Sequence, residues 1–145
     1  KMFLLIGGTL IFAQGFFVRR FVGRVGEKRM ALAGILIGLI AFLMLSILKG
    51  ETWFFISLFL MSTGVAFISP TLTSLTSLHS GEQDQGFHLG VFRSSGSMAR
   101  AIGPLFAGLI FFKYGSSFAY FLGALFLLIP FWFLFRVPQP ETTSK

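Results

Sequence analysis

Five long, nearly uncharged hydrophobic segments constrain the fold of this sequence more than any other feature. A helix needs roughly 20 apolar residues to cross about 30 Å of hydrocarbon. The composition agrees, because 54% of the 145 residues are hydrophobic and only 12% are charged, a balance that soluble domains do not show. The sequence therefore predicts an all-α integral membrane protein with five transmembrane helices. The segments are 2–18, 30–48, 53–78, 87–112 and 118–135.

Short connections join these segments, so neighbouring helices are expected to run antiparallel in one polytopic helix bundle. We assign residues 1–135 to this bundle and residues 136–145 to a tail. The chain starts at Lys1 rather than at Met, directly before a segment of only 17 residues, and the number of helices is odd. We therefore expect the chain to be a fragment of a longer protein.

The lysines and arginines outside the segments are divided unevenly between the two sides of the predicted bundle. By the positive-inside rule, the side with more of them is cytoplasmic. The N-terminus then lies outside and the tail inside the cell, in a multi-pass protein of the inner or plasma membrane. The net charge of +7 reflects this topology rather than binding to nucleic acid. The cytoplasmic side holds Arg19, Arg20, Arg24, Lys28, Arg29, Arg136 and Lys145, and the outer side holds Lys1, Lys49 and Lys113.

The fourth segment carries two arginines, Arg93 and Arg100, in a stretch without acidic residues. An arginine in hydrocarbon costs several kcal/mol unless it faces a protein interior or a water-filled path. On a helical wheel, nine small or polar residues lie within about 80° of Arg93, and the opposite side carries Val91, Met98, Ile102, Leu105, Phe106 and Leu109. We expect the small, cationic face to point into the bundle. This face comprises Gly90, Arg93, Gly96, Ser97, Arg100, Ala101, Gly103, Pro104, Ala107 and Gly108.

The third segment repeats this pattern with hydroxyl groups in place of charge. One of its faces carries Thr63, Ala66, Pro70, Thr73, Ser74 and Ser77. Side-chain oxygens and carbonyls freed by proline are tolerated in a membrane where they line a cavity. In the second segment, Gly34 and Gly38 form a small-xxx-small pair, which indicates helix packing. The candidate residues of a substrate pathway are therefore Arg100, Arg93, Ser97, Thr63, Pro70 and Ser74.

Two interpretations of each arginine stay open. Arg93 lies about 9 Å along its segment, so it either reaches back to the cytoplasmic interface or lines the pathway. Arg100 lies about 20 Å along, and it either contacts substrate or a proton-coupled acid, or pairs structurally with carbonyls or a carboxylate elsewhere in the protein. The glycine, alanine and proline residues of the same face serve packing and flexing or solute contact.

The sequence argues against an enzyme. It has no cysteine, and it contains no P-loop, dinucleotide-binding fingerprint or nucleophile elbow. His79, Glu82, Asp84 and His88 are spaced unlike any compact set of metal ligands. No acid or histidine lies deep in any segment. We therefore predict no catalytic residue, no metal and no cofactor.

Two patterns resemble the major facilitator superfamily, specifically the C-terminal half of its drug/proton antiporter-like members. The spacing Gly90-x8-Ala99-x3-Gly103-Pro104-x2-Ala107-Gly108 is similar to the antiporter motif G-x8-G-x3-G-P-x2-G-G, with alanine in place of glycine at two positions. The family's motif belongs to the fifth helix, and the order here implies its pseudo-symmetric counterpart, the eleventh. The basic segment 15–29 resembles the loop that joins the eighth and ninth helices, here with Arg19, Arg20, Arg24, Lys28 and Arg29.

This resemblance implies that the five segments are helices eight to twelve of a transporter with two six-helix halves. Such proteins bind substrate near the midplane and work by alternating access. The implied function is secondary active transport of a small organic solute, as proton-coupled efflux, with the N-terminal half of the same transporter missing here. The implied partners are the lipid bilayer, the solute and the proton. The alternative is a non-transporting membrane scaffold or assembly subunit, in which the small-residue faces are packed dry. In the transporter that the resemblance implies, the residues for helix flexing and packing are Gly90, Ala99, Gly103, Pro104, Ala107 and Gly108.

Overall fold

Four long apolar helices make up nearly all of the chain that the structure describes. The computed structural model describes residues 7–8, 26–78, 80–81 and 84–136. Each of the four helices is long and apolar enough to cross a membrane, which confirms the expected all-helical membrane fold for this part of the chain. The segment 2–18, apart from the helical Gly7 and Gly8, and the tail beyond residue 136 lie outside the described residues. The helices are α1 (Glu27–Ile47), α2 (Glu51–Leu78), α3 (Gln85–Tyr114) and α4 (Ser116–Arg136).

Helix α1 begins earlier than the hydropathy of the sequence suggests. It starts at Glu27, so Lys28 and Arg29 belong to its first turn and not to the basic loop in which the sequence pattern placed them. Glu27 favours this start, because an acid in the first turn interacts well with the positive end of the helix dipole. Gly26 precedes the helix with a φ of 86°, a conformation that glycine adopts without strain. Arg19, Arg20 and Arg24 lie outside the described residues.

Among the described helices, α1 and α2 pack against each other most extensively. A Cβ placed on Gly34 would lie 2.9 Å from the Gly64 carbonyl oxygen, and one placed on Gly64 would lie 2.8 Å from the Gly34 carbonyl oxygen. Such distances leave no room for a side chain at either position. The two backbones therefore touch at Gly34 and Gly64, as small residues allow in membranes. This contact confirms that the Gly34–Gly38 pair serves helix packing.

Helix α4 covers a second side of α1. Its residue Leu134 joins Ala31 and Ile35 of α1 and Leu75 of α2 in one buried apolar cluster. Polar contacts hold the two ends of the pair: Lys28 Nζ donates to the Phe135 carbonyl at 2.8 Å, and Ser46 Oγ donates to the Ser117 carbonyl at 2.9 Å. Helix α1 thus packs against both α2 and α4.

Helix α3 stands apart from this group. None of its 30 residues is buried, and a sharp turn at Gly115, where φ is 84°, connects it to α4. Its bulky face is exposed at Met98 and Leu105. The small, cationic face is also exposed, so the described helices do not cover the face that the sequence pattern directs into the bundle.

The helix ends define two opposite ends of the bundle. We call the end that carries Lys28, Arg29 and Arg136 the basic end. The basic end holds the starts of α1 and α3 and the ends of α2 and α4. There the Arg136 guanidinium lies 3.9 Å from the centre of the Trp132 ring, and Lys28 lies 5.8 Å from that of Phe135. Trp53 and Tyr114 lie at the opposite end, about half exposed. Aromatic rings at both ends suit the two interfaces of a bilayer.

Candidate functional site

A groove of about 610 Å³ that contains four hydroxyl side chains runs between α2 and α3 near the basic end. Pro70 and Ser74, two of the residues that the sequence pattern singled out, line it. The groove receives one residue from α3, Leu89, and otherwise consists of residues from the last third of α2. The lining residues are Ser69, Pro70, Thr73, Ser74, Ser77, Leu78 and Leu89.

Hydrogen bonds tie the groove to the starts of α1 and α3. Ser74 Oγ donates to the Glu27 carboxylate at 3.3 Å, and Gln85 Nε2 donates to Ser77 Oγ. Thr73 Oγ1 donates to its own helix at the Ser69 carbonyl, at 2.9 Å. Each hydroxyl oxygen keeps a lone pair that can accept a hydrogen bond from water or solute. Polar side chains from the starts of α1 and α3 therefore contact two hydroxyls of the groove.

Proline removes one backbone hydrogen bond of α2 beside the groove. Pro70 lies inside α2 and has no N–H to donate to the carbonyl of Ala66, four residues earlier. Thr63, the other α2 residue predicted for the pathway, does not line the groove. It lies about two turns nearer the opposite end, and its hydroxyl donates to the Phe59 carbonyl at 2.9 Å.

The arginines of α3 continue from the groove along one stripe of the helix. Arg93 follows Leu89 by one turn, and Arg100 follows Arg93 by seven residues, which places all three within about 40° of one another on the helical wheel. Both arginines are exposed. Among the described residues nothing covers the two arginines, which lie within about three turns of the groove.

Arg100 is held against its own helix by a short chain of hydrogen bonds. Its Nη2 donates to Ser97 Oγ at 3.2 Å, and Ser97 Oγ donates to the Arg93 carbonyl at 3.0 Å. The guanidinium also lies over Gly96, where an added Cβ would be 3.5 Å from Nη1. The three predicted residues Arg93, Ser97 and Arg100 thus form one connected polar group.

No carboxylate balances this group within the described residues. The stretch 86–112 contains no acid, and Glu27, Glu51 and Asp84 are placed at or beside helix starts. Neither arginine of α3 forms an ion pair in the part of the chain that the structure describes. The stripe therefore presents two positive charges that can meet an anion.

The glycines around the arginines are open, unlike those of α1 and α2. A Cβ on Gly90, Gly103 or Gly108 would meet no described atom within 4 Å. Pro104 lies inside the continuous helix α3 and leaves the Arg100 carbonyl without its usual N–H donor. Ala99 and Ala107 are exposed as well. The part assigned to these residues in flexing and packing stays a prediction.

Sequence reasoning missed two residues that border the groove, Glu27 and Gln85. Both stand at the first position of a helix. For Glu27 the available signal was its place as the single acid within an otherwise basic connection, because an acid there favours a helix start. No sequence pattern singled out Gln85.

Comparison with known proteins identifies the family. Residues 2–145 match the family model of the Major Facilitator Superfamily. The chain belongs to the major facilitator superfamily. Mouse "Major facilitator superfamily domain-containing protein 10" is 29% identical over 146 residues, covering 100% of this chain and 32% of its own length. Its human counterpart is 30% identical over 145 residues with the same coverage.

A solved structure of this superfamily is similar as well. The crystal structure of the human organic anion transporter MFSD10 (TETRAN) matches with a TM-score of 0.85 and 30% sequence identity, covering 92% of this chain and 31% of that one. The chain thus spans about a third of the length of these relatives. Membership of the superfamily confirms the resemblance drawn from the sequence and makes this chain part of a multi-pass membrane transporter family. The assignment to helices eight to twelve and the orientation stay predictions.

Proposed function

We propose that the chain forms part of a secondary active transporter that moves a small organic anion across the membrane by alternating access. The observation that carries this proposal is the stripe of α3, in which Arg93 and Arg100 are exposed and lack a carboxylate partner among the described residues. The solute would contact Arg100 and pass along the groove between α2 and α3.

The position of Arg100 suits this role. It lies 15 residues from the start of α3, so it is about 22 Å along a helix about 45 Å long. That depth corresponds to the middle of a membrane, where transporters of this architecture bind substrate. A guanidinium there binds a carboxylate through two parallel hydrogen bonds. The organic anions named for the similar human protein support the sign of the solute's charge.

The proposal also covers the position of this chain within the complete transporter. We place the described helices as nine to twelve of the C-terminal half, with the basic end in the cytoplasm, and expect the N-terminal half to supply the opposite wall of the pathway. The coverage of only about a third of the relatives supports the part of this proposal that assigns most of the transporter to segments outside this chain. Proton-coupled efflux requires a titratable group in the membrane. The acids of the described helices lie at helix starts, so we expect that group elsewhere in the full protein.

Transport by purified protein in liposomes tests the proposal. The protein is produced from its complete reading frame, and uptake of labelled organic anions is measured with and without an imposed proton gradient. Arg100→Gln removes a charge-assisted contact that contributes about 1.5–3 kcal/mol, so uptake should fall about tenfold to a hundredfold. Lys113→Gln removes a cation at the opposite end of the same helix, beside Tyr114, and serves as the control.

Two results would contradict the proposal. Wild-type rates in the Arg100→Gln variant would remove the arginine from the pathway. An intact protein that transports no organic anion under any gradient would favour the scaffold or assembly subunit.

A further inference from the structure

Ser97 links the Arg100 guanidinium to the backbone of α3. Its hydroxyl accepts from Arg100 Nη2 at 3.2 Å and donates to the Arg93 carbonyl at 3.0 Å. A serine hydroxyl has one hydrogen, and that hydrogen is used by the carbonyl, so the oxygen faces Arg100 as an acceptor. Without this oxygen the flexible arginine side chain would have no partner among the described residues.

The hydrogen bond draws Arg100 towards Arg93. The two Cα atoms are about 10 Å apart along the helix axis, and their directions differ by only about 20°. The Arg100 side chain folds back over Gly96, which is three residues from Arg93. Its guanidinium therefore lies over the turn that directly follows Arg93, on the helix face that carries both arginines.

Two neighbouring cations on an uncovered face are most stable with two negative charges opposite them. One carboxylate bound to Arg100 would leave Arg93 without an anion, at a position close to the interface. A second anionic group on the same solute would satisfy it and add a second charge-assisted contact. The open glycines beside the arginines, Gly90 and Gly103, leave space on this face among the described residues.

We propose that Arg93 and Arg100 form a two-point site for dianionic organic solutes, and that Ser97 is the positioning residue that holds the Arg100 guanidinium on the side of Arg93. This inference rests on the proposed function, because it names the class of anion that the same site prefers. Monoanions bind through Arg100 alone, and dianions bind through both arginines.

Matched pairs of anions test the two-point site. Benzoate and terephthalate share one ring and differ by one carboxylate; hexanoate and adipate form a flexible pair. The apparent affinity of the full protein for each is measured by the rise in its melting temperature and by uptake into liposomes. In the wild type, each dianion should bind about tenfold more tightly than its monoanion. Arg93→Gln should abolish this preference, and Lys113→Gln should preserve it.

Variants of Ser97 test the positioning role. Ser97→Ala should raise the apparent KM for the dianions about threefold to tenfold with little change in the maximal rate, because the guanidinium loses its fixed place. Ser97→Thr keeps a hydroxyl that can bond the carbonyl four residues earlier and should restore the wild-type KM. Ser94→Ala is the control, since the Ser94 hydroxyl donates only to the Val91 carbonyl, at 3.2 Å.

The outcomes separate the inference from the proposed function. Equal affinities for monoanion and dianion in the wild type, or a preference that survives Arg93→Gln, would overturn the two-point site while leaving anion transport in place. A Ser97→Thr variant that behaves like Ser97→Ala would overturn the positioning role. Failure of every anion in both series to bind or enter would contradict the proposed function itself.

Discussion

Gly64 lies where α1 and α2 come closest, and its replacement by alanine measures how much that contact stabilises the bundle. The added Cβ would lie 2.8 Å from the Gly34 carbonyl oxygen and 3.1 Å from the Gly38 nitrogen. Both are backbone atoms that cannot rotate away, so the two helices must move apart. Overpacking of this kind costs about 1–3 kcal/mol, and alanine returns about 0.5–1 kcal/mol through its better helix propensity. Gly64→Ala should therefore lower the free energy of unfolding by up to about 2.5 kcal/mol.

Gly103→Ala is the matched control for this change. No described atom lies within 4 Å of its added Cβ, so only the gain in helix propensity should remain, up to about 1 kcal/mol. The melting temperatures of the two variants are compared in detergent with that of the wild type, using protein from the complete reading frame. One kcal/mol corresponds to roughly 2–4 °C for a domain of this size, so the variants should differ by several degrees. Equal melting temperatures would refute the close contact between α1 and α2.

Two further substitutions address the contact between α1 and α4. Gly123→Ala would place a Cβ 2.8 Å from Cε1 of the Phe42 ring. Because a ring can shift where a backbone cannot, we expect a smaller loss in melting temperature than for Gly64→Ala. A larger loss would contradict this reasoning. Ser46→Ala removes the hydrogen bond to the Ser117 carbonyl and should lower the free energy of unfolding by up to about 1 kcal/mol. Its melting temperature is compared with that of Ser94→Ala. No difference between these two serine variants would show that the bond contributes nothing.

The positions of the helices could be read from the sequence because the bilayer fixes their length. Hydropathy placed a segment at 53–78 and the structure places α2 at Glu51–Leu78. The start of α1 was less accessible, since Lys28 and Arg29 look like loop residues by hydropathy yet extend the helix beyond the apolar segment. Hydropathy reports what a residue prefers to contact and not whether its backbone is helical.

The tight packing of α2 was only half visible in the sequence. Gly34 and Gly38 stood out as a pair, but their partner Gly64 did not. The sequence did contain a signal, since the small residues Ser57, Gly64 and Thr71 are spaced seven positions apart. The structure shows that all three are buried. A repeat of seven keeps residues on one helix face. The hydroxyl stripe drew attention to a different face of the same helix.

The arrangement of the candidate site could be predicted by face but not by contact. Helical periodicity grouped Arg93, Ser97 and Arg100 on one side of α3. The direction in which the Arg100 side chain folds depends on its rotamers and on the Ser97 hydroxyl, which periodicity does not encode. Nor could periodicity show that the described helices leave this face uncovered.

The most direct measurement of the central claim compares two cysteines at nearly the same depth on opposite faces of α3. The chain contains no cysteine, so Arg100→Cys and Met98→Cys each introduce one known thiol into it. In the full protein, any native cysteine outside this chain is first replaced. If the cationic face borders a water-filled path, Arg100→Cys should react with a membrane-impermeant thiol reagent, and organic anions should slow the reaction. Met98→Cys, on the bulky face, should stay unlabelled. Complete protection of Arg100→Cys in every transport state, or equal labelling at both positions, would contradict the account.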